Sequence, residues 1–387
     1  MEPKLSGKRK ALIVTGEDSG DLHGANLIEA SRRLDQDLEY FGVGGKRMAA
    51  AGCEIVLPSS QLAVVGFVEV FRHLPTIWKA FRGIKKIIEG QQAPALLILI
   101  DFPEFNLRLA KVAKKAGIPV LYYVSPQVWA WRRGRIRKIS RIVDKLAVIL
   151  PFEEELYKPY GLDVEYVGNP LVDDFRLVRD REEFRRAYGI ETEAPVVGLF
   201  PGSRRSELRH MLGTIVKTAG QIRAEKPECR FLLPVAPSLE GVDMADYGCR
   251  EDLPLTFVRG ENIYDVANAC DAVICVSGTV TLQVALTGTP MVIIYKLSPL
   301  TYWLGRLLIR VPFIGLANIV AGKKVAREFI QEMASPGNIA SEILRMLNDR
   351  AYNRRIREAM GEVRENLGEG GCSERVAGMV LKLASAK

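Results

Sequence analysis

Apolar residues in this chain gather in short unbroken runs and do not alternate with polar ones. In the first half the runs cover residues 12–14, 40–43, 96–100, 120–124, 146–150 and 164–167. In the second half they cover 196–200, 231–233, 255–258, 272–276 and 292–295. Continuous runs of strand length suit parallel strands covered on both faces. Between them lie helical spacings. Leu27, Ala30 and Leu34 recur by three and four, as do Ile77, Phe81, Ile84 and Ile88, with Lys79, Arg82, Lys85 and Lys86 elsewhere around that helix. Such alternation predicts βαβ units and doubly wound parallel sheets. The pattern restarts near residue 196, after a charged stretch. The expectation is an α/β chain of two Rossmann-like domains facing a cleft: 1–175, then 176–345, with helices at 346–387 packing back on the first domain.

Composition narrows this picture. With 387 residues, 48% hydrophobic and 26% charged, the chain can bury real cores. Its formal charge of +8 suits an anionic partner: nucleic acid, an anionic membrane or a phosphorylated substrate. The six cysteines form no Cys-x-x-Cys pair, so they read as buried thiols in a reducing compartment. The start of the chain has positive charge but no apolar stretch of signal-peptide length, which predicts a cytoplasmic protein. Residues 297–322 are the nearest approach to a membrane span, but they contain Pro299, Arg306, Arg310 and Pro312. Each central arginine costs about 2.5–3.5 kcal/mol on insertion, so an interfacial segment is the better expectation. Asp35-Gln36-Asp37 ends a helical pattern, and His23, His73 and His210 are the only histidines. No metal site and no cofactor are expected.

In open parallel sheets, ligands bind beyond the carboxyl ends of the strands. After the first run comes Thr15-Gly16-Glu17-Asp18-Ser19-Gly20-Asp21. The acids disfavour a dinucleotide pyrophosphate. A sugar-binding turn is the better reading, since carboxylates accept hydrogen bonds from hydroxyls, while capping of the next helix is the plainer role for Ser19 or Asp21. After 96–100 comes Asp101-Phe102-Pro103-Glu104-Phe105-Asn106. Desolvation at a strand mouth would raise the pKa of Asp101 toward general-base values, with a helix N-cap as the even alternative. After 120–124 comes Ser125-Pro126-Gln127-Val128-Trp129-Ala130-Trp131, then Arg132, Arg133, Arg135, Arg137, Lys138 and Arg141. Tryptophans beside cations suit an anionic lipid surface or a nucleic acid. The segment 62–71 is apolar on more than one face, either a core helix or a lipid-facing one through Val65, Phe67, Val68 and Phe71.

The second half carries two small-residue turns. Pro201-Gly202-Ser203-Arg204 offers amides at a helix N-terminus and a bidentate cation to a diphosphate, with a plain turn as the alternative. Ser277-Gly278-Thr279-Val280-Thr281-Leu282-Gln283 offers hydroxyls to phosphate and ribose. Together the two turns point to a nucleotide-sugar site.

These segments, in order along most of the chain, resemble the lipid-A-disaccharide synthase family. Tyr123-Val124-Ser125-Pro126-Gln127-Val128-Trp129-Ala130-Trp131-Arg132 is the most specific block, supported by Val65-Gly66-Phe67-Val68-Glu69-Val70, Asp101 to Asn106, Leu150-Pro151-Phe152-Glu153, Pro201 to Arg204, Ser277-Gly278-Thr279 and Ala317-Asn318. The resemblance implies a GT-B fold and an inverting glycosyltransferase. The donor would be UDP-2,3-diacylglucosamine and the acceptor 2,3-diacylglucosamine 1-phosphate (lipid X). It implies Asp101 as general base and Arg204 as essential. Gly202, Ser203, Ser277, Gly278, Thr279, Thr281, Gln283 and Asn318 would form the UDP site, and Gly16, Glu17, Ser19, Asp21 and Gln127 the acceptor side. Val65, Phe67, Val68, Phe71, Trp129 and Trp131 would face the membrane. A peripheral enzyme on the cytoplasmic side of an anionic inner membrane follows, without bound metal and without nucleic acid, and a homodimer stays open. The chain departs from the family pattern at Gln283, where Glu is usual, and at Asp18, Asn169, Ala317 and Arg327. Another UDP-sugar transferase or UDP-sugar epimerase of the same fold is the nearest rival; a nicotinamide-dependent dehydrogenase and a nucleic-acid-binding protein are more distant ones.

Overall fold

The structure is a computed structural model that describes residues 9–62, 67–131, 133–249, 253–298, 302 and 311–385, the side chains of 67–74, 130, 131 and 133 excepted. The chain forms two compact units, Met1–Asp173 with Glu369–Lys387, and Asp174–Gly368.

The first unit holds a parallel sheet of β1 (Arg9–Val14), β2 (Leu38–Gly44), β3 (Glu54–Pro58), β4 (Leu96–Ile100), β5 (Val120–Tyr123), β6 (Lys145–Val148) and β7 (Asp163–Tyr166), ordered β3-β2-β1-β4-β5-β6-β7. The centre of the sheet is dry: β4 and β5 are buried at every position, as the unbroken apolar runs require. Its helices are α1 (Asp18–Leu34), α2 (Lys46–Ala50), α3 (Phe67–Ile88), α4 (Pro103–Lys115), α5 (Val128–Trp131), α6 (Ile136–Ile142) and α7 (Glu153–Tyr157). One face of the sheet is covered by α3, α4 and α6 through Ile84, Ile88, Phe105, Leu109, Ile139 and Ile142. The opposite face is covered by α1 and by the last helix, Cys372–Ser385, through Leu27, Ile28, Val376 and Val380. Of the tail beyond residue 346, this last helix belongs to the first unit, while Arg350–Asn366 belongs to the second.

The second unit repeats the plan with β8 (Val196–Phe200), β9 (Arg230–Val235), β10 (Leu255–Arg259), β11 (Ala272–Val276), β12 (Met291–Tyr295) and β13 (Arg327–Ile330), all parallel, ordered β10-β9-β8-β11-β12-β13. Its helices include α8 (Pro170–Asp174, which straddles the boundary), α9 (Arg181–Ala187), α10 (Arg205–Glu225), α11 (Ile263–Ala269) and α12 (Val280–Leu286).

Strand order reverses direction once in each sheet, between β1 and β4 and between β8 and β11. At such a switch point the flanking loops part in opposite directions and leave a crevice outside the strand ends. The loops that start at Thr15 and Asp101 emerge at the switch point of the first sheet, and those that start at Pro201 and Ser277 at that of the second.

Candidate functional site

In the first unit the site is built on a strained turn. Asp101 and Phe102 both have left-handed backbones, with φ of 45° and 48°, and Val124 at the end of the adjacent β5 has φ of 64°. Each such non-glycine position costs on the order of 1–3 kcal/mol and persists only where the surroundings enforce it. Two side chains enforce it at Asp101. The Tyr122 hydroxyl donates to the Asp101 carbonyl at 2.6 Å. Asn106 Nδ2 donates to the same carbonyl at 2.7 Å, to Ile100 at 3.2 Å and to Val14 at 3.4 Å, tying the ends of β4 and β1 together. Pro103 then starts α4 with its φ already set. The N-cap of α4 is Phe102, so Asp101 does not take the capping role that sequence left open.

The turn leaves the Asp101 carboxyl desolvated. Burial pushes its pKa from 3.8 up to about 6, the negative charge of Glu17 pushes the same way, and a hydrogen bond from the Phe102 backbone opposes both. Glu17 is itself exposed at the N-terminus of α1, and Ser19 and Gln127 are exposed as well. Gly16 is needed for contact: a Cβ there would lie 2.5 Å from the Phe102 ring. Glycine thus lets the β1 loop close on the Asp101–Phe102 turn.

Two residues expected in or beside this site are engaged elsewhere. Asp21 is buried, and its carboxylate accepts from the amides of Gly45 at 2.6 Å, Arg47 at 3.1 Å and Met48 at 3.2 Å, so it caps α2. Trp129 is 6% exposed and does not face lipid. Its ring meets Phe152 edge-on at 5.2 Å, and its indole N–H donates to Glu153 at 3.1 Å. A buried indole needs an acceptor, and Glu153, itself 1% exposed, supplies it. Glu153 also accepts from the Leu150 amide at 3.3 Å, and burial pushes its carboxyl from 4.5 up to about 8. The pair fixes the loop that carries Gln127. Val65 and the side chains of Phe67, Val68, Phe71 and Trp131 lie outside the described residues.

In the second unit the two turns at β8 and β11 border one cavity of about 480 Å³. Gly202, Ser203, Arg204, Ser277, Gly278, Thr279 and Gln283 line it, together with Glu207, Glu261 and the end of β9. The guanidinium of Arg204 is exposed. The amides of Ser203 and Arg204 are occupied: Glu207 Oε2 accepts both, at 2.9 and 3.2 Å. Sequence reasoning counted those amides as free for a phosphate. The return half of a capping box takes them instead. Gly202 has φ of 99°, and a Cβ there would sit 2.0 Å from Glu207 Oε2. The glycine makes room for that carboxylate as well as for the turn. Glu207 stands at the third position of the helix, a spacing from which this contact was legible.

Thr281 and Asn318 stand outside the lining. Thr281 is fully buried; its hydroxyl donates to the Gly278 carbonyl at 2.9 Å and accepts from the Ala317 amide at 3.3 Å. Asn318 is also fully buried. Its Oδ1 accepts from Val325 and Ala326 at 2.8 Å each, and its Nδ2 donates to Ala326 and to Glu328 at 2.8 Å each. All four hydrogen-bonding positions of an amide are thereby filled, and the side chain pins the 318–328 loop. Ser277 reaches the same region, donating to the Ile314 carbonyl at 2.7 Å.

A family model for lipid-A-disaccharide synthetase matches residues 11–379. The chain is 58% identical to the lipid-A-disaccharide synthase of Syntrophotalea carbinolica over 97% of its own length and 95% of that protein. It is 52% identical to that of Trichlorobacter lovleyi over 97% of both. Among solved structures it is similar to a UDP-GlcNAc 2-epimerase from Neisseria meningitidis bound to UDP-GlcNAc, with a TM-score of 0.64, 12% identity and coverage of 96% and 100%. It is also similar to the calicheamicin glycosyltransferase CalG4, with a TM-score of 0.58, 13% identity and coverage of 98% and 99%. These distant likenesses establish the GT-B fold.

Proposed function

The chain belongs to the lipid-A-disaccharide synthase family of glycosyltransferases, and on that premise we propose that it joins UDP-2,3-diacylglucosamine to 2,3-diacylglucosamine 1-phosphate. The observation that carries the proposal is the Asp101 carboxyl, held on a left-handed turn at the first switch point, where burial pushes its pKa up to about 6. A carboxylate of that pKa is mostly ionised at neutral pH, yet basic enough to take a proton in the transition state.

The acceptor 6-hydroxyl oxygen bonds to the donor anomeric carbon from the side opposite UDP. The hydroxyl proton passes to Asp101. The bond from the anomeric carbon to the diphosphate oxygen breaks, and UDP departs with the electron pair. An α-linked donor gives a β-1,6 product by this single displacement. Arg204 neutralises the departing diphosphate, a role in which a fixed donor is worth about 3–4 kcal/mol. The cavity between the β8 and β11 turns takes the uridine diphosphate, with Ser277, Thr279 and Gln283 as its hydroxyl and amide partners. Glu17, Ser19 and Gln127 serve the acceptor sugar, and Asp21, Thr281 and Asn318 hold the scaffold.

Peripheral docking on an anionic membrane is part of the same reading. Its support is the helical layer of the first unit. Lys79, Arg82, Lys85 and Lys86 on α3, Arg108 and Lys111 on α4, and Arg137, Lys138 and Arg141 on α6 are all exposed. Trp78 is 51% exposed beneath the Arg82 guanidinium, 5.4 Å from its ring centre. Each surface cation near anionic lipid is worth about 1 kcal/mol. No helix among the described residues is long and apolar enough to cross a membrane.

The test is UDP release with both acylated substrates, and with each omitted. Release is expected only when both are present, with a disaccharide 1-phosphate as co-product. Release without acceptor, or epimerised donor with no glycoside, would defeat the proposal.

A further inference from the structure

A second cavity, of about 570 Å³, lies in the first unit between the edge strand β3 and helix α3. Leu57 on the strand and Ala80, Ile84 and Ile87 on the helix make its apolar wall. Gly83 stands in the middle of that wall. A Cβ built there meets nothing within 4 Å. Glycine inside a helix costs about 1 kcal/mol relative to alanine, and it is usually retained where something packs close or the backbone turns left-handed. Neither applies at Gly83. What its missing side chain creates is an open trough along α3.

From this trough we infer a further binding site: it receives one acyl chain of the lipid acceptor. The inference rests on the first unit being the acceptor side. Each methylene moved out of water gains about 0.8 kcal/mol, so an enzyme that handles a diacylated sugar needs an apolar channel for the chain. The trough has the shape for it: from Thr76 to Ile87 it follows α3 for about 16 Å at the rise of a helix. Its rim carries the matching charge. Lys79 is exposed and has no carboxylate partner among the described residues, so it can meet the phosphate end of an anionic lipid.

The experiment uses full-length protein with Gly83→Phe, which fills the trough, and Gly83→Leu, which fills less of it. Acceptors with long and with short acyl chains are compared at saturating long-chain donor. Gly83→Phe is expected to raise KM for the long-chain acceptor about tenfold, the equivalent of ~1.4 kcal/mol, and to leave the short-chain acceptor and the donor within about twofold. Gly83→Leu is expected to give a smaller rise in the same direction, and both variants to melt no lower than the parent. Unchanged long-chain KM in a folded variant overturns the inference. So does an equal rise for long and short acceptors, or weaker vesicle binding with KM untouched, which would mark a bilayer-lipid site. If Gly83→Phe has no effect while Asp101→Asn still abolishes turnover, only the trough assignment fails. If the parent releases UDP without acceptor, the reading of the whole site fails with it.

Discussion

The two units share one plan and treat its switch point in opposite ways. In the first, the left-handed positions are Asp101, Phe102 and Val124, none of them glycine, and two buried side chains hold the turn in place. In the second, the corresponding turns place glycines, Gly202 and Gly278, where φ is positive. They border an open cavity whose cation, Arg204, is exposed. Strain and burial suit the general base proposed for the first, which needs one fixed position and a dry environment. An open cavity and an exposed guanidinium suit the diphosphate proposed for the second, where a strong cation must reach its anion.

Replacing the proposed base should show this contrast at its largest. Asp101→Asn keeps the turn but not the carboxylate, and kcat is expected to fall by about 10²–10⁴ with KM little changed. Near-normal turnover would leave the strained turn without a catalytic purpose. Arg204→Lys comes next. It keeps the charge but loses the planar fork, and kcat/KM for the donor is expected to drop about 10- to 100-fold. An equal loss for a donor-independent property, such as melting temperature, would make Arg204 structural.

Glu153 tests burial without catalysis. Its pKa is raised on folding, from 4.5 to about 8. The folded state therefore holds the proton more tightly than the unfolded state. That contribution to stability is full below about 4.5 and is lost as pH rises through about 8. Glu153→Gln is expected to flatten the decline in stability between pH 5 and 8.5 and to be ~2 kcal/mol more stable than the parent at the upper end, as read from urea melts. A parallel pH slope in both proteins would remove Glu153 from the account. The smallest effect belongs to Glu17. Its charge helps to raise the pKa of Asp101, so Glu17→Gln should move the acid limb of the kcat/KM profile below 6, by less than about one unit. A shift to higher pH would contradict the proximity of the two carboxylates.

How much of this was legible in the sequence depends on burial. The central strands were, because a strand covered on both faces must be apolar throughout; the runs at 96–100, 196–200 and 272–276 coincide with β4, β8 and β11. Two of the four edge strands, β7 and β10, fall on predicted runs, whereas β3 and β13 were missed. Their sequences, Glu54-Ile55-Val56-Leu57-Pro58 and Arg327-Glu328-Phe329-Ile330, mix charge with apolar side chains because one side is open to solvent. Asp101, Gly202, Arg204 and Ser277 were singled out as candidates because ligands gather where parallel strands end, and the last three line one cavity.

What the chain decided by itself is the order of strands and helices and which chemical groups follow each strand, since period and punctuation are local properties. Tertiary structure decided which of those groups are free. In a linear reading Trp129 looks lipid-facing and Asp21 looks like a sugar ligand, but packing gives each a partner from a distant segment: Glu153 for the indole and the amides of residues 45–48 for the carboxylate. Asn318 finds its partners only when the 325–328 segment folds back on it. A polar side chain is available to substrate only after the fold has settled the hydrogen bonds it must satisfy when buried, and a linear sequence does not record that competition.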